Sequence, residues 1–199
     1  MSRPSTYSPS DQYLVEQVLQ GDTARFGEIV NRTKGLVTQI VFKLIPHPAD
    51  RPDLAQDIYL KAFRHLAGFR HQAKLSTWIG QIAYNTCLHY LEKKRLLLPG
   101  EPGLEAAETG PGAPALLAVA PEVEARLFGQ DLTAVLAAEI DKLPPLYKTL
   151  IGLYHQQELS YAEIAHITSL PEGTVKSYLF RARKALKESI EATYQRDEL

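Results

Sequence analysis

Between Ser160 and Lys187 the chain reads SYAEIAHITSLPEGTVKSYLFRARKALK, and this stretch restricts the available folds more than any other. Ser160 with Glu163 three residues on has the spacing of a capping box, and Ile164 and Ile167 then mark one apolar helical face, with Ala165 small enough to admit a neighbour. Thr168, Ser169 and Leu170 break the period, and Pro171 supplies a preset first-turn residue. Val175, Leu179, Ala182 and Leu186 restart an apolar stripe at spacings of four, three and four. The segment is therefore two helices joined by a tight turn, the second one basic on its outward face. That is the sequence form of a helix-turn-helix, although an ordinary amphipathic hairpin with a solvated basic face has the same pattern.

Charge distribution separates these readings better than total charge, which is -1 over 199 residues. From Lys61 to Arg95 seven cations face one carboxylate, a net of +6; from Pro171 to Lys187 five cations face one carboxylate, a net of +4. Between them, Leu96 to Ala120 has three glutamates and no cation, a net of -3. Two basic islands on a nearly neutral chain are the footprint of a polyanionic partner. No apolar run approaches the roughly 20 residues of a membrane span, and MSRPSTYSPSDQ lacks the apolar centre of a signal peptide, so a cytoplasmic protein without direct membrane insertion is expected. A lone cysteine, Cys87, flanked by Ala83, Tyr84 and Leu88, excludes an internal disulfide and reads as helix packing.

The fold class expected is all-α, with two small helical domains on either side of a flexible linker and the helix-turn-helix in the second. Residues 97–122 are rich in Pro and Gly without sustained period and form the linker, which leaves domains at 10–96 and 123–192. In the first domain Ser10 caps a helix ending at Gly21, and Asp22 caps a second that Pro46 and Pro48 stop. The third helix, from Asp53, buries Leu54, Ile58, Ala62 and Leu66, with Tyr59 and Phe63 beside them, and turns Asp53, Gln56, Asp57 and Lys61 outward. A fourth, Leu75 to Arg95, buries Ile79, Ile82, Ala83, Thr86 and Tyr90. On its other side Trp78, Gln81, Asn85, His89 and Lys93 share one face. A ring, amides and a cation on one face suit unpaired bases; a single tryptophan on a helix is more often a core residue, but this aromatic and basic neighbourhood favours the base-facing reading. No Gly-rich phosphate loop, HExxH or GxSxG occurs and the six histidines are scattered, so no enzyme, cofactor or metal is expected.

The chain resembles the extracytoplasmic-function (ECF) sigma factors of bacterial RNA polymerase. DLAQDIYLKAFRHL is similar to that family's DLVQETFLRAYR segment, LSTWIGQIAYNTCLHYLEKKR to its promoter-melting helix, and LPPLYKTLIGLYHQQELSYAEIAHITSLPEGTVKSYLFRARKAL to its C-terminal reader. The resemblance covers Asp11 to Arg95 and about Leu132 to Ile190. It implies that Asp53, Gln56 and Asp57 dock on the coiled-coil clamp of the polymerase beta-prime subunit, the C-terminal domain touching the beta flap. It implies that Trp78, Gln81, Asn85, His89, Lys93, Lys94 and Arg95 lie against the opened minus-10 strand of promoter DNA. Thr174, Lys176, Ser177, Phe180, Arg181 and Lys184 then read the minus-35 duplex, and an anti-sigma factor is a further implied partner. Ser169 stands where the family's turn has glycine, Tyr178 where it has arginine, and His89 where it has aspartate. The competing reading, a stand-alone helix-turn-helix regulator with a helical sensor or dimerisation domain, explains the C-terminal half equally well.

Overall fold

The computed structural model describes residues 10–97 and 132–197, and contains eight α-helices and no strand among them. The expected linker, from residue 98 onward, lies outside the described residues. The first lobe comprises α1 (Asp11–Leu19), α2 (Ala24–Leu44), α3 (Arg51–His65) and α4 (Leu75–Leu97). The second comprises α5 (Leu132–Lys142), α6 (Pro145–His155), α7 (Tyr161–Thr168) and α8 (Glu172–Asp197).

Local chemistry sets most of these boundaries. The Ser10 hydroxyl accepts the Tyr13 N–H at 3.2 Å, and α1 gives way to Gly21 at φ 106°. Asp22 does not cap α2. The chain is already helical at Thr23, with φ -63° and ψ -20°, and the Asp22 carboxylate lies 3.4 Å from the Arg25 guanidinium instead. Ile45, held extended before Pro46, ends the helix. Within α2, Thr33 donates back to the Ile29 carbonyl at 2.8 Å and shares a 3.2 Å hydrogen bond with the Tyr59 hydroxyl, tying α2 to α3.

The apolar stripes pack as their spacing requires. Leu14, Ile29, Ile40, Ile58, Ala62, Ile79, Ala83 and Cys87 are fully buried in the first lobe. Burial pushes the Cys87 thiol up to about 12, only weakly opposed by the nearby Lys61 charge, so this cysteine is an inert packing group. In the second lobe Leu150, Leu153, Ile164, Ile167, Val175, Leu179 and Ala182 are fully buried. The capping box of α7 is closed in both directions: Ser160 N–H donates to Glu163 Oε2 at 2.9 Å and Glu163 N–H donates to Ser160 Oγ at 3.3 Å. Ser169 ends α7 in the left-handed region, at φ 56° and ψ 27°, the conformation for which glycine is the usual choice.

The two lobes also pack on each other, α2 against α6 and α4 against α7. Two glycines permit the approach. A Cβ at Gly80 would stand 3.0 Å from Ile167 Cδ1 and 3.2 Å from Leu36 Cδ2, and one at Gly152 would stand 2.0 Å from Gln39 Nε2. Polar bridges surround this apolar centre: Gln39 donates to Gln156 at 2.9 Å, Lys43 pairs with Asp141, and Lys74 Nζ lies 2.8 Å from Glu163 Oε1. Glu163 thus serves the cap of its own helix and a bridge to the other lobe.

The Lys74 hydrogen bond, followed by that from the Ser160 N–H, holds the Glu163 carboxyl down at about 2, against 4.5 for an ordinary glutamate. A depressed carboxyl contributes stability that is fully present above 4.5 and fades as pH falls towards 2. Glu163→Gln retains cap geometry but not charge. It should melt below the unaltered protein at neutral pH, and the gap should close between pH 4.5 and 2 in circular-dichroism melts. A gap independent of pH would remove the ion pair as its cause.

Candidate nucleic-acid interface

Helix α8 is divided lengthwise. Val175, Leu179 and Ala182 face the core at zero exposure, whereas Lys176, Ser177, Phe180, Arg181 and Lys184 are exposed and Thr174 is half-buried beside them. All six residues expected to read duplex therefore share one side. Phe180 is 69% exposed, a large ring with nothing to cover it in the free chain. The Ser177 hydroxyl donates to the Thr174 carbonyl at 2.9 Å. Lys176 lies 3.0 Å from Glu172 and 5.3 Å from the Tyr161 ring centre, Lys184 lies 3.7 Å from Glu188, and the Arg181 guanidinium stands 5.9 Å from the Tyr178 ring. Exposed pairs of this kind contribute about 0.2–1 kcal/mol, so each cation is readily exchanged onto a phosphate or base edge. Arg183 belongs elsewhere: it stacks 4.9 Å over Tyr154 and meets His155 Nε2 at 3.3 Å.

Helix α4 presents the expected mixed face with two qualifications. Asn85, His89, Lys93 and Arg95 are exposed, and His89 Nδ1 lies 3.3 Å from Glu92. Trp78 is neither fully buried nor free: it is partly buried against the core, with its ring 5.2 Å from Phe69. Gln81 is half-buried because its amide reaches Ser169 Oγ, 3.5 Å away on the other lobe. Lys94 does not join this face. At about 100° per residue it stands roughly 180° from Asn85, and it lies 3.5 Å from Asp50 with its side chain 20% exposed. The Tyr90 hydroxyl donates to the same Asp50 carboxylate and is the main cause that holds it below the usual range. Lys94 therefore pins the end of α4 against the start of α3.

The outward stripe of α3 carries Asp53 and Gln56, both exposed, and Asp57, partly buried and 2.9 Å from Lys61. Leu60 and Phe63 continue the same stripe at 46% and 42% exposure, with the Phe63 ring edge-to-face against Phe26 at 5.1 Å. Spacing alone places Phe63 beside the core, whereas its edge-to-face packing on Phe26 leaves it partly open to solvent. The i, i+3, i+4, i+7 series 53, 56, 57, 60 is the signal for Leu60, and the series restarted at 56 reaches 60 and 63 and so Phe63. An acidic edge beside exposed apolar groups is a protein-binding surface in composition rather than a solvated face. Among the described residues no cluster of His, Cys, Asp or Glu could hold a metal, and no helix is long and apolar enough to cross a membrane.

Comparison with known proteins accounts for both lobes. Residues 29–96 match the family model for Sigma-70 region 2, and residues 134–186 match that for Sigma-70, region 4. The ECF RNA polymerase sigma-E factor of Haemophilus influenzae is 35% identical over 184 residues, covering 92% of this chain and 96% of the relative. That of Escherichia coli K12 is 33% identical over 189 residues, covering 94% and 97%. Two solved structures share the fold at a TM-score of 0.62: CnrH in complex with the cytosolic domain of CnrY, 20% identical, covering 92% of this chain and 99% of that one, and the sigma factor RpoE of Bartonella quintana in complex with the anti-sigma factor NepR, 19% identical, covering 83% and 96%. A stand-alone regulator would leave the region 2 match without an explanation. The chain belongs to the ECF family of RNA polymerase sigma factors: it initiates transcription with core polymerase at promoter DNA and is not an enzyme.

Proposed function

We propose that this sigma factor divides its work among the three faces just described. The stripe Asp53, Gln56, Asp57, extended by Leu60 and Phe63, docks on the beta-prime clamp of the polymerase. Trp78, Gln81, Asn85, His89, Lys93 and Arg95 hold the opened minus-10 strand, with Lys94 keeping their helix in place. Thr174, Lys176, Ser177, Phe180, Arg181 and Lys184 read the minus-35 duplex. The observation that carries this reading is the pairing of two chemically different faces in one chain: a partly buried ring with amides, one of them exposed, on α4, and exposed cations with a hydroxyl on α8. Stacking on an aromatic ring and edge contacts to amides require bases that have left the duplex, whereas a basic helix face suits the major groove. Each lobe alone binds weakly; joined on one polymerase they act at high effective concentration. Melting then needs binding energy only, each stacked base being worth about 1–3 kcal/mol. The protein works in the cytoplasm, where its polymerase is, and an anti-sigma factor is proposed as a further partner because two proteins of this fold are seen bound to such partners or to a cytosolic domain.

Reversing Asp53 and Asp57 to Lys should weaken core polymerase binding with helicity intact. Unchanged capture by core in a pull-down would remove the α3 stripe as the docking surface. On α8, Arg181→Ala should cost about 1–3 kcal/mol at the base it reads and relax preference there, whereas Lys184→Ala should weaken all duplexes alike and reduce the salt slope by about one. If neither alters affinity or preference on a minus-35 duplex library, the reading face lies elsewhere. On α4, Trp78→Ala and Asn85→Ala should impair permanganate reactivity of thymines near the start site more than closed-complex binding, because their contacts arise only after strand separation. Equal losses in both assays would return Trp78 to a purely structural role beside Phe69.

A further inference from the structure

We infer that Arg183, outside the base-reading set, is a prealigned phosphate clamp: Tyr154 and His155 of α6 hold its guanidinium so that the open fork takes a backbone phosphate of the minus-35 duplex beside the α8 reading face. The inference rests on the assignment of that duplex to α8. It adds a backbone contact at one edge of the helix and two positioning residues on another helix.

Arg183 is held as no lysine of α8 is. Lys176, Lys184 and Lys187 each pair with a glutamate one turn away on their own helix, at 3.0, 3.7 and 3.5 Å. Arg183 is exposed and has no carboxylate partner among the described residues. Its guanidinium carbon stands 4.9 Å from the centre of the Tyr154 ring, and its Nε donates to His155 Nε2 at 3.3 Å. The supports are themselves braced. His155 meets Tyr154 edge to face at 4.9 Å, and Tyr154 stacks on Tyr161 of α7 at 5.1 Å and 16°. Desolvation, and then the Arg183 charge, push His155 below its ordinary value, so the imidazole is neutral at physiological pH and accepts from the guanidinium. Only the Nε donor is used in this arrangement, and both terminal nitrogens keep theirs for a ligand. A planar fork fixed in place and unneutralised matches two oxygens of one oxyanion.

Placement selects phosphate. Arg183 follows Lys176 by seven residues and Phe180 by three, so at about 100° per residue the three lie within about 60° of one another. They form the edge of the exposed face that borders the two preceding helices, Lys176 standing 5.3 Å from the Tyr161 ring on α7 and Arg183 beside Tyr154 on α6. In a helix-turn-helix the second helix enters the groove while the first crosses the backbone, so this edge is the one that meets a strand. The net charge of +4 from Pro171 to Lys187 has the sign that such a strand requires.

The experiment uses the full chain assembled with core polymerase, on promoter duplexes with a matched or a scrambled minus-35 element, and reads closed-complex affinity over a salt series. Arg183→Met keeps most of the stem and removes the charge. It should weaken both duplexes alike, about five- to tenfold, and lower the salt slope by about one. Arg183→Lys should keep the slope and recover only part of the affinity, because a point charge lacks the fork. Tyr154→Leu and His155→Leu leave the charge in place and should cost about two- to threefold with the slope retained, and Tyr154→Phe, which keeps the ring, should restore most of that loss. Circular-dichroism melts check folding, and the exposed Arg183→Met carries the decision if Tyr154→Leu melts early. An unchanged slope in Arg183→Met would overturn the clamp. A loss on the matched duplex alone would make Arg183 a base reader and overturn the phosphate assignment, and weaker binding to core before DNA is added would put the fork on a polymerase carboxylate instead. Arg181→Ala run in parallel separates the two levels: altered base preference there with a silent Arg183→Met sinks only the clamp, whereas silence from both sinks the α8 reading face with it.

Discussion

The burial of Ile167 joins the two halves of the molecule. Helix α7 is eight residues long, too short to persist by propensity, and it is held by burying Ile164 and Ile167 completely. Ile167 contributes twice: it lies in the core of the helix-turn-helix and it meets Gly80 and Leu36 of the first lobe. A methyl group at Gly80 would crowd that contact, so the second lobe can rest on the first only because α4 has a gap in its side-chain surface there. The placement of α8 relative to α4 depends on this apolar contact together with the packing of α2 on α6 and the polar bridges around them.

The elements and their exposed faces were legible in the sequence because they are set by neighbours within a few residues. Ser160 and Glu163 predict a closed capping box and form one; Val175, Leu179 and Ala182 predict a buried stripe and are buried. Ser169 in place of glycine does occupy a left-handed position. Helix phase also decides Lys94, which shares a basic run with Lys93 and Arg95 but stands about half a turn from Asn85; a run of charge has no single direction on a helix. Asp22 failed as a cap because Thr23 is already helical and Arg25 takes its carboxylate. The seam was not legible. Lys74 with Glu163 and Gln39 with Gln156 join residues about a hundred positions apart, and periodicity carries no information on which surface meets which. Its one local trace is Gly80, a glycine inside an otherwise regular helix, where a close approach is the usual reason.

Electrostatics divides the same way. With a net charge of -1 the whole chain has no general attraction for nucleic acid, so affinity must come from local concentration of charge. On α8 the cations are held by exposed pairs with Glu172 and Glu188, which keep the face soluble and cost little to break. On the proposed reading, specificity would come from what the pairs leave uncovered: Phe180, an apolar group suited to a thymine methyl, and Arg181, whose fork matches two acceptors on one base.

Polar margins surround a small apolar centre where the two lobes meet. A seam made only of ion pairs would be dissolved by salt, and one made only of a large apolar surface would hold the lobes together permanently. Here the apolar centre is the contact of Ile167 with Gly80 and Leu36. The polar margins set the register, since Glu163 must meet Lys74 for α7 to seat Ile167 over Gly80. The same carboxylate caps α7 through Ser160, so opening the seam costs Glu163 one partner and leaves it the other. Glu163 therefore links the local stability of α7 to its seat on α4 through one carboxylate.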